Sequence, residues 1–337
     1  MNQINGIIIL LQTSPMPNHR VLYTDHGFSS ITSEQQIIEA AGAELIVAQC
    51  KTSEELLPFA READALLVQW APITAEVIRE LQQCKVIVRL GIGVDNVDVQ
   101  SATQRGIPVC NVPDYCIDEV ADHTVAFALT LARQIPFVDR RVRENHWRIT
   151  PPAQMPAFKD MNFATVGFGR IARAVHRRMQ GFGCTCIAHD PLVPPEVFVS
   201  AQVKTLPLDE LFATVDILSL HCPLTLDTHH LVNATRLKQM KPTAIVINTA
   251  RGGLVDSVAL AQALTNGQIA SAGLDVFEQE PLPTDHPLRS CPNAIFTSHM
   301  AWYSERSVPE LQRRAAEEVA RALRGEPLRS QVNPIPN

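Results

Sequence analysis

Short runs rich in aliphatic and β-branched residues alternate with amphipathic helical stretches along most of this chain, and they do so in two separate series. That alternation constrains the fold more than any other feature. A strand, a helix and a second strand at this spacing make a βαβ unit, whose two strands lie parallel with the helix packed on the sheet. In the first series the pattern predicts strands at Gly6–Leu11, Glu44–Ala48, Asp64–Gln69, Lys85–Leu90 and Ile107–Asn111. Helices are predicted between them over Ser33–Ala41, Ser53–Ala63 and Thr74–Gln83. A longer stretch, Ile117–Arg133, brings Val120, Val125, Ala128 and Leu131 near helical spacing. The Arg- and Pro-rich segment Arg140–Lys159 reads as a connector or a partner surface.

The second series predicts strands at Phe163–Val166, Cys184–His189, Ile217–His221, Ala244–Asn248, Ala272–Val276 and Ala294–Thr297. Helices fit Arg170–Gly181, Ala234–Met240 and Ser257–Thr265, the last with Asp256 as its N-cap and Gly267 as its stop. Ser307–Arg324 reads as a charged amphipathic helix ending before Gly325. Two such series in 337 residues predict an α/β protein with two doubly wound parallel-sheet domains.

Composition narrows the class. Hydrophobic residues make up 46% and charged residues 19%, which is globular rather than disordered. With 29 basic and 35 acidic residues the net charge is −6, so nucleic acid is not an expected partner. No apolar run reaches the roughly 18 residues of a membrane span. Met1–Gln12 has neither a basic n-region nor a small-residue cleavage site, so no signal peptide is expected. The 8 cysteines sit mostly inside apolar runs and read as reduced, buried thiols of a cytoplasmic protein. Cys184 and Cys186 have no second pair nearby and read as strand residues. His229 and His230 are adjacent, with no further ligand at a recognisable spacing, and no metal site is expected.

The strand Phe163–Val166 runs into Gly167-Phe168-Gly169-Arg170-Ile171-Ala172, a G-x-G-x-x-A turn that opens a helix. The first glycine permits the tight turn, the second lets a pyrophosphate approach the backbone, and the third small residue lets helix and strand pack closely. The anion then rests on the helix N-terminus. Asp190 follows Gly169 by 21 residues, at the end of the next strand, where a carboxylate binds the hydroxyls of an adenosine ribose. Pro191, Leu192 and Val193 follow it, so no cation waits for a 2′-phosphate and NAD is expected over NADP. A second cluster, Gly91-Ile92-Gly93-Val94-Asp95, reads either as a tight turn or as a loop of N–H groups that holds a small anion with Arg89.

In open α/β sheets ligands bind beyond the carboxyl ends of the strands. In the second series those ends carry His221, Arg251, Asp275 and His299, with Glu280 in a following loop. Histidine transfers protons near neutrality, arginine clamps a carboxylate or carbonyl, and a carboxylate beside a histidine orients it. Residue pattern alone leaves His221 and His299 as equal alternatives for the acid/base.

Taken together, "VRLGIGVDNVDV" (88–99), "VCNVPDYCIDEVADHTVAFAL" (109–129), "VGFGRIARAV" (166–175), "INTARGGLVD" (247–256), "GLDVFEQEP" (273–281) and "TSHMAWYSE" (297–305) resemble the NAD-dependent D-2-hydroxyacid dehydrogenase family. The resemblance covers nearly the whole chain. "AWYSE", with "HLVNATRLKQMKPTAIVINTARGGLVD", looks most like the C-terminal-binding protein branch, which contains corepressors as well as dehydrogenase-like members. The family pattern implies a Rossmann NAD-binding domain over 113–302 and a discontinuous flavodoxin-like substrate domain over 1–112 and 303–337. It implies that Arg251 clamps substrate, that His299 is the acid/base and that Glu280 is its partner. His221, Cys222 and Pro223 fall in its nucleotide loop, beside Thr249 and Ala250, and Asp275 falls where the family bonds the nicotinamide carboxamide. Ile92 and Gly93 fall in the loop that holds the substrate carboxylate. Trp302 is placed either over the substrate pocket or in an interface.

Three positions depart from the pattern. Ala172 stands for the third glycine, Ser298 for the usual proline, and Asp160–Ala164 lacks the glycine-rich lead into the strand. None removes a chemical group. The resemblance therefore implies an NAD-dependent oxidoreductase of 2-oxo and D-2-hydroxy acids, working as a homodimer. The alternative it leaves is a corepressor-like dimer that senses NAD and turns over little. A formate-type enzyme would carry glutamine at Glu280.

Overall fold

A computed structural model of the chain describes residues 18–148 and 154–335. The chain divides into two compact units, one of residues up to Pro113 together with those from Pro309 on, the other of Asp114–Val308.

The first unit holds β1 (His19–Tyr23), α1 (Thr32–Ala40), β2 (Ala43–Val47), α2 (Ser53–Ala60), β3 (Ala65–Val68), α3 (Ala75–Glu80), β4 (Val86–Arg89), α4 (Val99–Gln104) and β5 (Val109–Cys110). The strands form one sheet in the order β2-β1-β3-β4-β5, every neighbouring pair parallel, which is the flavodoxin-like order. All four residues of β3 are buried, as a strand covered on both faces requires. Side chains fix two helix starts: Thr52 accepts from the Glu55 amide and Asp98 from the Ser101 amide.

The expected strand Gly6–Leu11 lies outside the described residues, and β1 comes later, at a segment the pattern did not single out. Its first two residues, His19 and Arg20, are polar. In the fold His19 Nδ1 lies 3.1 Å from Asp64 Oδ1, and Arg20 pairs with Glu62, while Val21, Leu22 and Tyr23 are buried.

Residues from Pro309 onward return to this same unit. They lie mostly in α12 (Ser307–Leu323), which buries Leu311, Ala315, Ala316, Val319 and Ala320. Its Gln312 Nε2 donates to Ser30 O (2.8 Å) and Glu34 Oε1 (2.7 Å). Farther on, Asn333 accepts from the Val109 amide at 2.7 Å and donates to Ile107 O at 3.0 Å. The chain's last part is thus hydrogen-bonded to the edge of the sheet built from its first part.

The second unit opens with α5 (Ile117–Ala132) and α6 (Ile135–Arg143). It continues through β6 (Asn162–Val166), α7 (Arg170–Gln180), β7 (Thr185–His189), α8 (Pro195–Ser200), β8 (Lys204–Thr205), α9 (Leu208–Thr214) and β9 (Ile217–Leu220). The remaining elements are α10 (Ala234–Gln239), β10 (Ile245–Asn248), α11 (Ser257–Thr265), β11 (Ser271–Leu274) and β12 (Ala294–Phe296). The sheet order is β12-β11-β10-β9-β6-β7-β8, all parallel, so the order reverses between β6 and β9. That reversal is the ligand crevice of a Rossmann sheet. Separate apolar layers cover the two faces: Phe163, Val175, Ile217 and Ile247 with α5 and α7 on one, and Leu218, Leu220, Val246 and Leu260 on the other. Asp256 accepts from the Ala259 amide at 2.9 Å and caps α11 as its sequence predicts.

One reading changes here. Helix begins at Ile135, and the polar connector expected from Arg140 is in its first residues the end of α6, a helix with no buried residue. Among the described residues no helix is long and apolar enough to cross a membrane.

Candidate active site

The turn between β6 and α7 is shaped by contact as much as by conformation. Gly167 has φ +94°, and a Cβ there would lie 2.6 Å from the His221 carbonyl, so only glycine fits. Gly169 is the N-cap of α7, with no side chain capping the helix and open space where a Cβ would stand. The amides of the first turn, beginning with the exposed Arg170 and the half-buried Ile171, thus keep the anion-binding character of a helix N-terminus. Asp190 ties this turn to the end of β7: its Oδ2 accepts from the Phe168 amide at 2.8 Å and its Oδ1 from the Leu192 amide at 3.0 Å. An open glycine cradle, a helix N-terminus and a fixed carboxylate fit the pyrophosphate and ribose of a dinucleotide.

His221, Cys222 and Pro223 leave the end of β9 against Gly167. Burial holds the His221 imidazole down to about 4, and its Nε2 lies 2.9 Å from the Ser219 hydroxyl. Burial also pushes the Cys222 thiol up to about 11. Both groups are therefore neutral near pH 7. His176, packed between Phe163 and Phe168, is held down to about 3 by burial and lies 3.0 Å from Thr165 Oγ1.

His299 has a different setting. Its Nδ1 lies 2.7 Å from Glu280 Oε2, and Glu280 Oε1 accepts from the Phe277 amide at 2.9 Å. Burial raises the Glu280 carboxyl, but the His299 hydrogen bond and charge, the Phe277 amide and the Arg251 charge outweigh it and the pKa falls. Glu280 is therefore anionic across the neutral range. Arg251 follows β10, where Asn248 Nδ2 donates to its carbonyl at 2.8 Å. Arginine, carboxylate and imidazole thus converge from the ends of β10, β11 and β12. Of the two histidines left open by sequence, His299 is the one with a carboxylate partner.

His299 stands in the left-handed region, φ +55°, and the turn around it has its own scaffold. Asp275, 1% exposed, accepts from Thr297 Oγ1 (2.5 Å) and the Met300 amide (2.9 Å) through Oδ1, and from the Ala301 amide (3.0 Å) through Oδ2. The His299 amide donates to Asp275 O at 2.7 Å, and Trp302 Nε1 donates to His299 O at 2.8 Å. Because the Thr297 hydroxyl donates to Asp275, His123 Nε2, 3.0 Å away, donates to Thr297. The family resemblance implies a nicotinamide contact for Asp275 and leaves Trp302 between the substrate pocket and an interface. The anchoring duty of these two, and Thr297 altogether, went unseen. No residue spacing signals a carboxylate that takes up backbone amides 25 and 26 positions ahead. Thr249 is also engaged within the unit, its hydroxyl 2.9 Å from that of Thr124 on α5, with Ala250 half-buried beside it.

In the first unit the Arg89 guanidinium lies over Gly91, whose φ of +151° is a conformation that favours glycine. Asn111 Nδ2 donates to Ile92 O at 2.6 Å and the Val112 amide to Gly91 O at 2.9 Å, which pins the Gly91–Gly93 loop at the end of β4.

Residues 125–301 match the family model described as the D-isomer specific 2-hydroxyacid dehydrogenase, NAD binding domain. The chain belongs to that family. It is 38% identical over 309 residues to D-3-phosphoglycerate dehydrogenase of Methanocaldococcus jannaschii, a match covering 90% of this chain. The same match spans 57% of that relative, so the chain covers little more than half its length. It is 38% identical over 270 residues to glyoxylate reductase of Korarchaeum cryptofilum, covering 79% of this chain and 81% of that one. Among solved structures, D-lactate dehydrogenase from Aquifex aeolicus, complexed with NAD and lactic acid, superposes with a TM-score of 0.83 at 27% identity. That superposition covers 91% of this chain and 96% of the other. The two parallel-sheet architectures thus belong to the 2-hydroxyacid dehydrogenase family, as the sequence motifs implied.

Proposed function

We propose that this protein interconverts 2-oxo acids and D-2-hydroxy acids with NAD(H). The observation that carries the reading is the 2.7 Å His299–Glu280 pair beside Arg251, on the unit whose glycine turn carries Asp190. Gly167, Gly169 and the α7 amides are proposed to seat the pyrophosphate, and Asp190 the adenosine ribose. His221, Cys222, Pro223, Thr249, Ala250 and Asp275 are proposed to border the rest of the dinucleotide, which supplies or accepts hydride when bound. Arg251 clamps the substrate carboxylate and polarises its carbonyl. His299, oriented by its hydrogen bond to Glu280, gives a proton to the carbonyl oxygen in reduction and takes it back in oxidation. Ile92 and Gly93, with Arg89, are proposed to bind the substrate carboxylate, and Trp302 to border the substrate. The segments 1–112 and 303–337 then serve substrate and 113–302 serves the nucleotide, in a cytoplasmic protein.

The test is reduction of a panel of 2-oxo acids (glyoxylate, pyruvate, hydroxypyruvate, phosphohydroxypyruvate and a thioether 2-oxo acid) with NADH and with NADPH. Turnover with at least one acid is expected, with clear preference for NADH, because Asp190 faces the ribose as an uncompensated carboxylate. Asp190→Ala should narrow that preference. Equal wild-type affinity for NADH and NADPH sinks the cofactor assignment. Tight NADH binding with no turnover of any acid favours the corepressor-like alternative.

Assembly is proposed through the face formed by α5 and α6. Helix α6 has no fully buried residue; Phe137 packs against the core of its own unit, and Ile135 and Val142 are exposed. A symmetric homodimer places that apolar strip against its own copy. Sedimentation equilibrium at micromolar concentration should give twice the chain mass; the chain mass alone refutes this interface.

A further inference from the structure

His229, His230 and Glu278 lie outside the set just described. They come from two loops, the one after β9 and the one after β11, separated by 48 residues in sequence. One ligand atom from each, two imidazole nitrogens and a carboxylate oxygen, all lie within 4.8 Å of one another. His230 Nε2 is 2.6 Å from Glu278 Oε1, and the two imidazole rings stack at 3.9 Å between centroids.

The surroundings hold these groups in place. His230 sits at φ +49°, with its amide donating to Gly253 O at 2.8 Å and its carbonyl accepting from Asn233 Nδ2 at 3.0 Å. The His229 amide donates to Thr225 O at 2.9 Å, and the Thr228 hydroxyl to Pro223 O at 2.7 Å, so the loop is braced from within. The second oxygen of Glu278 accepts from the Ser257 amide at 3.0 Å and from the Ser257 hydroxyl, which itself lies 3.1 Å from His286 Nε2. Carboxylates that ligate metals are held in this way, by partners on the oxygen that faces away from the ion.

We propose that His229, His230 and Glu278 form a binding site for one borderline divalent cation of the zinc class. Two imidazoles and a carboxylate suit zinc, cobalt or nickel, whereas magnesium and calcium take all-oxygen sets. With metal–ligand bonds of about 2.0–2.1 Å, tetrahedral donors stand roughly 3.3 Å apart. The 2.6 Å His230–Glu278 pair therefore has to open by about 0.7 Å, the donors standing up to 4.8 Å apart have to close by at most about 1.5 Å, and the fourth position takes water. Glu278 stands two residues before Glu280, so an ion here shares a loop with the carboxylate that partners His299. Sequence spacing could not disclose the site: two neighbouring histidines are common on surfaces, and the third donor is brought in by the sheet.

The test uses the full chain stripped with a chelator, dialysed, and titrated with zinc chloride against a chromogenic zinc indicator. One zinc per chain is expected. His229→Ala leaves the His230–Glu278 pair in place and should weaken binding at least about tenfold, since loss of an outer-shell partner alone costs that much. Glu278→Gln should do the same, and His299→Ala should leave zinc binding unchanged. Cobalt substitution should give tetrahedral d–d bands without a thiolate charge-transfer band. No zinc bound at about 100 μM, equal affinity in His229→Ala, loss of binding in His299→Ala, or a thiolate band from a cysteine site would each overturn the proposal.

Discussion

Arg251→Lys should lose most of kcat/KM for reduction of a 2-oxo acid while NADH still binds. The positive charge survives the change and the planar fork does not. A guanidinium presents two parallel N–H groups to a carboxylate or bridges carboxylate and carbonyl, whereas an ammonium meets them as a point charge on a flexible stem. Losing one charge-assisted hydrogen bond costs about 1.5–3 kcal/mol, which is roughly 10- to 150-fold in rate. The structure adds a reason for the effect to exceed simple binding. The Arg251 charge is one of the influences that hold Glu280 anionic, and its backbone is fixed by Asn248. Lysine keeps the charge but relocates it, so loss should fall on kcat as well as KM. Steady-state kinetics with NADH fluorescence titration in the same variant decides the matter. Near-normal turnover would make the arginine a structural residue.

The extent to which this molecule was legible from sequence follows from how far apart the interacting residues lie. Strand and helix periodicity is local, and α11 with its Asp256 cap could be read residue by residue. The Gly167–Ala172 turn was readable because its glycines answer to steric needs a few residues long. β1 escaped because its two polar residues are satisfied by Asp64 and Glu62, some forty residues away. α6 escaped because it is short, ends in an arginine-rich turn and has no fully buried residue. In the site, the choice between His221 and His299 could not be made from pattern, since both close a strand. Their environments differ: one imidazole is buried against a serine hydroxyl, the other lies on a carboxylate 19 residues earlier. The family resemblance implied His299 without that physics. Asp275 carries a duty the resemblance did not imply: its buried carboxylate holds the turn that carries His299.

The largest effect is expected at His299 itself. His299→Ala should lose on the order of a hundredfold or more in both directions, the usual contribution of a positioned proton donor. The subtler and more diagnostic variant is Glu280→Gln, which keeps much of the shape and removes the charge. Glu280 has its pKa lowered in the fold, so it remains anionic through neutral pH and on into acid. Its Oε2 lies 2.7 Å from His299 Nδ1, and a carboxylate can only accept, so Nδ1 carries the hydrogen and Nε2 is left for the substrate. A glutamine amide can present either its oxygen or its NH2 group to Nδ1, so the ring's orientation is no longer enforced. Glu280→Gln should therefore lower kcat in both directions by about tenfold or more, the loss of one charge-assisted hydrogen bond, while NADH still binds. The measurement is kcat and KM in both directions, with NADH titration, for wild type, Glu280→Gln and His299→Ala. Unchanged kcat in Glu280→Gln would show that Glu280 does not hold the histidine, and a fully active His299→Ala would remove the histidine from the chemistry.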